Sequence, residues 1–251
     1  MKRDDAASGS HFLPRHDCGL ANRPDYDRHI AVMWSSALFE GLSARVCREI
    51  LLYARMKTFG RNEALFNQGE TIDKLIFILT GRVKLIQSSP QGSEVILWMN
   101  ASGDAIALRT DTVGGDSHSC SALAMERTQA LVWDYKQHSL LIARYPQLKI
   151  NIGRILETRL RELEERFREI ATERVATRLA SILIRLVRSV GKQGRDGFEL
   201  VLRREELAQM TGTTHCTICR ILGKWTESGF IIRRRDGVVI RDIDWLKALP
   251  I

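Results

Sequence analysis

The longest helical periodicity in the chain opens at Pro146 and runs to about Ile170, with Gly153, Leu156, Leu160, Leu163, Phe167 and Ile170 recurring three and four residues apart. Arg159, Arg161, Glu162, Glu164, Glu165, Arg166 and Arg168 lie between them, so a single apolar seam runs along an otherwise charged helix. Such a seam is expected to pair with a second copy through Leu156, Leu160, Leu163, Phe167 and Ile170; the alternative is packing on a neighbouring domain of the same subunit. Upstream of it, from Thr58, short apolar runs such as LIFIL and EVILWM alternate with Gly69, Gly81, Gly92 and Gly103, eleven or twelve residues apart. That spacing predicts an antiparallel β-roll, jelly-roll-like. Residues 83–86 and 95–99 should pair across Pro90-Gln91-Gly92, and a closing pair of strands should span 122–125 and 130–133, with a helix starting near Tyr135. Before the roll, Trp34, Leu38, Phe39, Leu42, Val46, Ile50 and Leu51 predict short helices over 31–56, with Ser43 as a cap.

After the long helix, Val175, Leu179, Ile182, Leu183 and Leu186 predict a helix over 173–190, followed by a polar turn over 191–197 and a short strand over 198–202. Ala208, Gly212 and Ile218 then stand four and six residues apart, the spacing of a helix-turn-helix. Gly212 suits the positive φ of a sharp turn, and Thr214 can cap the second helix. On that helix Ile218, Ile221, Leu222 and Trp225 should face inward, leaving His215, Cys216, Cys219 and Arg220 outward. Two β-branched runs, 230–232 and 238–240, flank Asp236-Gly237, a hairpin signal that turns the helix-turn-helix into a winged helix. An ordinary amphipathic helical hairpin is the alternative.

Charge bears on the choice without deciding it alone, since a solvated basic face is the bland alternative. The chain carries a formal +8, and the segment from Ala171 onward holds fifteen Lys and Arg against nine Asp and Glu. A cationic surplus on the helix-turn-helix segment is the footprint of a polyanion. Bases are then expected to meet His215, Cys216, Thr217, Cys219 and Arg220, and phosphates to meet Arg203, Arg204, Thr214, Lys224, Arg233, Arg234 and Arg235. The chain length suits an α+β protein of four parts: a flexible arm (1–28), a β-roll sensor (29–145), a dimerisation helix (146–171) and a winged helix-turn-helix (172–251). No apolar run approaches the ~20 residues of a membrane span and no secretory leader is visible, so the expected location is the cytoplasm, without a membrane partner. Five scattered cysteines fit a reducing compartment. No Ser-His-Asp grouping, no Gly loop followed by Lys and no metal motif with a full ligand set points to an enzyme.

The order of parts resembles the CRP/FNR family of bacterial transcription regulators over about residues 34–246. The resemblance is carried by FNQGE at 66–70, IFILTGRVKL at 76–85 and LAQMTGTTHCTICRILGKWTESGFI at 207–231. It implies a homodimer on a two-fold-related double-stranded DNA operator, an effector or redox signal acting through the roll, and RNA polymerase as a further partner. Arg220 matches the family's base-reading position. In the roll, Gly103, Asp104, His118, Ser119 and Cys120 are the expected effector pocket. Cyclic AMP binders of the family carry Gly-Glu and Arg-Ser there; Gly103-Asp104 and His118-Ser119 offer a shorter carboxylate and a mostly neutral imidazole, so cyclic AMP is disfavoured. Cys18 and Cys120 are too few for an iron-sulfur cluster. Haem on His118 or Cys120, or a small effector, stays open. Cys216 and Cys219 stand three apart beside His215, a pair that could hold zinc or close a disulfide, though zinc would want a fourth ligand. The plain reading is two small side chains set against bases; the sharper one is that oxidation of either thiol, next to Arg220 and a helix N-terminus, blocks DNA binding. The rival from another class is a small-molecule or cyclic-nucleotide sensor whose C-terminal domain docks a protein.

Overall fold

The computed structural model describes residues 25–109 and 117–248. Most of the expected N-terminal arm, with Cys18, lies outside the described residues, but its end is helical: α1 spans Tyr26–Trp34 and buries His29, Ile30 and Met33 along one face. A 3-10 turn (Ala37–Phe39) and α2 (Ala44–Leu51) follow, and Ser43 caps α2 as expected, its hydroxyl accepting from Val46 N at 3.3 Å.

Eight strands come next: β1 (Arg55–Phe59), β2 (Ala64–Phe66), β3 (Lys74–Thr80), β4 (Val83–Ser88), β5 (Glu94–Asn100), β6 (Ala105–Ile106), β7 (Ser121–Ala124) and β8 (Thr128–Asp134). They form two antiparallel sheets, ordered β1-β8-β3-β6 and β2-β7-β4-β5. Gly81 shows why the glycine spacing marks the turns: its φ is +90°, and a Cβ there would meet the Arg127 carbonyl at 2.8 Å. β4 and β5 pair as expected, and the two closing strands are present as β7 and β8, but in different sheets and not paired with each other. β7 enters between β2 and β4, and β8 between β1 and β3, so each gains ladder bonds on both edges instead of one. The β4–β5 register slips between Leu85 and Ile86, which leaves Leu97 as the extra residue of a bulge.

α3 (Tyr135–Arg144) starts in a reciprocal cap between Asp134 and Gln137 and hands over to α4 (Pro146–Thr172), with Pro146 in its first turn. α4 has two halves. Leu148, Asn151 and Ile152 are buried, and Asn151 Nδ2 donates to the Leu38 and Glu40 carbonyls, fixing the first half to the N-terminal helices. Leu156 still leans on that core, but Leu160 (56% exposed), Phe167 (74%) and Ile170 (54%) stand in the open beside Leu163.

The C-terminal part comprises α5 (Val175–Val190), β9 (Lys192–Gly194), β10 (Gly197–Leu200), α6 (Arg204–Thr211), α7 (His215–Glu227), β11 (Ile231–Arg234), β12 (Gly237–Ile240) and α8 (Ile243–Lys247). The segment expected as a polar turn contains β9, which pairs with β10 at the edge of a sheet ordered β11-β12-β10-β9. Leu179, Leu183, Leu207, Ile218 and Leu222 are fully buried in the core of this part, each burial stabilising it by roughly 1.5–3 kcal/mol. Ile86, Ile96 and Met99 of the β4–β5 sheet join the same core, so the winged helix rests on the outer face of the roll.

Polar ties hold this contact. The bulge at Leu97 presents two successive carbonyls, and the Arg166 guanidinium of α4 takes both: Ile96 O at 3.1 Å and Leu97 O. It also reaches Met210 O at 3.3 Å, at the end of α6. Arg82 donates to Val201 O at 2.9 Å, Lys84 pairs with Glu206 at 3.3 Å, and Arg185 grips the buried Glu169 through two nitrogens.

Candidate nucleic-acid interface

Gly212 ends α6 with φ +67°, and Thr213 N donates back to Ala208 O at 3.1 Å, which closes the turn. The reversed chain re-enters a helix at Thr214, whose hydroxyl accepts from Thr217 N at 3.2 Å. Ile218, Leu222 and Trp225 then face the core, with Ile221 half-buried, as their spacing predicts. That orientation leaves His215, Cys216, Arg220 and Lys224 exposed, with Thr217 and Cys219 at the margin. Five base-reading candidates therefore share one surface at the N-terminal half of α7. Trp225 packs edge-on against Trp245 of α8, which in turn stacks on Phe230 at 4.0 Å, so the base of the helix is braced from behind.

The flanking cations take two positions. Arg203 (exposed) and Arg204 (half-buried) open α6, where Glu206 accepts from the Arg203 backbone nitrogen at 2.9 Å. Arg233, Arg234 and Arg235 are exposed at the tip of the wing. The wing differs in one detail from the expected Asp236-Gly237 turn: Gly237 is already paired with Arg234, and the loop is Arg235-Asp236. Close approach explains that glycine, because a Cβ there would sit 2.0 Å from the Leu200 carbonyl of β10. Arg234 pairs with Asp196 at 3.4 Å; among the described residues Arg220, Lys224, Arg233 and Arg235 make no ion pair.

One neighbour gave no signal in the sequence. Glu205 of α6, ten residues before His215, reaches across the turn to its Nε2 at 3.4 Å, and the same nitrogen lies 3.5 Å from Cys219 Sγ.

The expected effector residues divide into two groups. Gly103 and Asp104 line a cleft of about 390 Å³ between the roll and α4. Asp104 accepts from Ala101 N at 2.8 Å, and burial raises its carboxyl despite the neighbouring Arg159. Arg159 itself donates to Asn100 Oδ1 and Ala105 O at 2.9 and 2.8 Å. His118 does not line that cleft: it is buried flat against Phe66, ring centres 3.7 Å apart, and burial lowers its pKa. Cys120 and Ala107 pack beside the core of the roll, Ser119 is exposed, and Ala107 carries an unusual φ of +58° for a residue with a side chain.

Two family models match the chain: the Cyclic nucleotide-binding domain over residues 56–145 and the Crp-like helix-turn-helix domain over 177–249, together well over half of it. The Cyclic AMP receptor protein of Thermus thermophilus is 29% identical over 207 residues, covering 82% of this chain and 93% of the relative. The Fumarate and nitrate reduction regulatory protein of Salmonella typhimurium is 24% identical over 197 residues, 78% of each. The chain belongs to the CRP/FNR family of transcriptional regulators. Among solved structures, the c-di-GMP responsive global regulator CLP of Xanthomonas campestris superposes with a TM-score of 0.70 at 19% identity, over 80% of this chain and 100% of that one, a likeness of fold. As a CRP/FNR regulator the chain combines a DNA-binding helix-turn-helix with a roll of the cyclic-nucleotide-binding type. No helix among the described residues is long and apolar enough to cross a membrane.

Proposed function

We propose that the protein acts in the cytoplasm as a homodimer that regulates transcription from a two-fold-related DNA operator. Arg220, exposed on α7 and without an ion pair among the described residues, carries this reading. An Arg on a helix face can donate twice to guanine O6 and N7, a contact worth about 1–3 kcal/mol of discrimination. His215, Cys216, Thr217 and Cys219 flank it as further base contacts, while Arg203, Arg204, Thr214, Lys224, Arg233, Arg234 and Arg235 hold the phosphates on either side. The open half of α4 supports the dimer: Leu160, Leu163, Phe167 and Ile170 bury their apolar surface against the same residues of a second copy, with Leu156 at the edge of the seam. Pairing there delivers two α7 helices to successive major grooves, ~34 Å apart.

The relatives' names include a cyclic AMP receptor. For this chain the roll speaks against the same ligand. A cyclic phosphate needs a cation at the 118 position, and His118 is buried against Phe66, where its neutral form is favoured. The signal that acts on the roll is therefore of another kind, and RNA polymerase is the partner reached once DNA is bound.

Selection of duplexes from a random pool tests the proposal. The expected product is a palindrome with half-sites about 10 base pairs apart, bound with an affinity that falls steeply with salt. Recovery of no sequence, with salt-independent binding, would favour a sensor whose C-terminal part docks a protein.

A further inference from the structure

We propose that Cys216 and Cys219 form a hydroperoxide-oxidisable thiol pair whose linkage takes α7 off DNA. The inference rests on α7 being the base-reading helix. Cys216 is exposed in the first turn of α7, and Cys219 is half-buried one turn on; both are free thiols. Cys219 Sγ lies 3.5 Å from His215 Nε2, and Glu205 Oε1 approaches the same nitrogen at 3.4 Å. The other described cysteines sit differently: Cys47 is fully enclosed and Cys120 is packed beside the core of the roll, and burial raises both thiols. Among the described residues no group of three or more His, Cys, Asp or Glu is arranged to hold a metal ion.

The chemistry closes within the pair. Cys216 sulfur, as thiolate, attacks the terminal oxygen of a hydroperoxide; an S–O bond forms and the O–O bond breaks. The sulfur loses two electrons and becomes a sulfenic acid, while the peroxide leaves as an alkoxide or hydroxide that takes up the displaced proton. Cys219 then attacks that sulfur, its proton passing to His215 Nε2 and on to the departing hydroxide, which leaves as water, and an S–S bond remains.

Geometry links this bond to DNA binding. Helical residues three apart hold their Cβ atoms ~5–6 Å from each other, whereas a disulfide needs ~3.5–4.5 Å. Closing the bond must draw in the first turn of α7, where the Thr217 N to Thr214 Oγ1 cap bond of 3.2 Å holds the helix start. Thr217, Cys219 and Arg220 then leave the register in which they face bases together.

Full-length protein treated with hydrogen peroxide, mapped by peptide mass and titrated with the selected duplex before and after dithiothreitol, tests this. The expected result is a Cys216–Cys219 linked peptide, an operator affinity at least about tenfold lower than in the reduced state, and recovery with the dithiol. Cys216→Ser and Cys219→Ser should each abolish the linkage, each variant being judged against its own reduced affinity, and His215→Gln should slow it. Absence of the linked peptide from a protein that binds duplex would overturn the switch alone. Failure of the reduced protein to bind any duplex would overturn the base-reading assignment and the switch with it.

Discussion

In the roll, and where it meets α4 and the winged helix, the cations are held by neighbouring groups, while on the outer face of the winged helix most are left open among the described residues. Arg82 is shared between Glu126 and Val201 O, Lys84 pairs with Glu206, and Arg159 donates to Asn100 and Ala105. Arg220, Lys224, Arg233 and Arg235 have no such partners among the described residues. The contrast separates a folded scaffold from a surface kept for a ligand. α4 repeats it within one helix, its first half buried on the roll and its second half showing Phe167 and Ile170 to solvent.

Charging the open half of α4 gives the largest expected effect. The double variant Leu160→Glu and Phe167→Glu should sediment as a monomer, because both residues are exposed within one subunit and the roll does not need them. Operator affinity should fall by about 10²–10⁴, the avidity lost when two half-sites are no longer held together. A dimer of full affinity would break the contrast between the halves of the helix.

His138 sharpens the other side. Burial, reinforced by Arg109, holds its pKa at about 4 instead of 6.5. Between those values the unfolded chain takes up a proton that the folded protein refuses. Stability is therefore full above pH 6.5 and lost as pH falls towards 4, by roughly 3 kcal/mol at most. His138→Leu should shrink the difference between urea midpoints measured at neutral and mildly acid pH. An unchanged difference would mean that the acid sensitivity of the roll lies elsewhere.

Neutralising the wing gives the smallest effect. Arg235→Ala should weaken binding to all duplexes alike and lower the salt slope by about one per contact. Arg234→Ala should do less, since Asp196 already engages that side chain at 3.4 Å. Equal losses from the two would show that the Asp196 pair opens on DNA.

What was legible in the sequence was local. Glycine spacing marked the turns of the roll, Ser43 and Thr214 announced two caps, and the apolar stripe of α7 fixed which residues face outward, because each is decided within a few neighbouring positions. What depends on distant partners was not. The sheet to which β7 and β8 belong, the bulge at Leu97 that receives Arg166 and the contact of Glu205 with His215 all join segments that only the folded topology brings together. The same limit grouped Gly103 and Asp104 with His118: one pair turns to α4, and the imidazole turns to Phe66. Gly237 stands where the hairpin signal points, but it clears the Leu200 carbonyl in a strand while Arg235 and Asp236 form the loop.

The central claim is that Arg220 reads a base from an exposed helix, and one ratio tests it: affinity for the selected operator divided by affinity for a scrambled duplex of equal length and salt. In Arg220→Ala that ratio should fall by about 1–3 kcal/mol for each half-site, with binding to the scrambled duplex changed much less. A ratio equal to that of the unaltered protein would place base recognition elsewhere on the molecule.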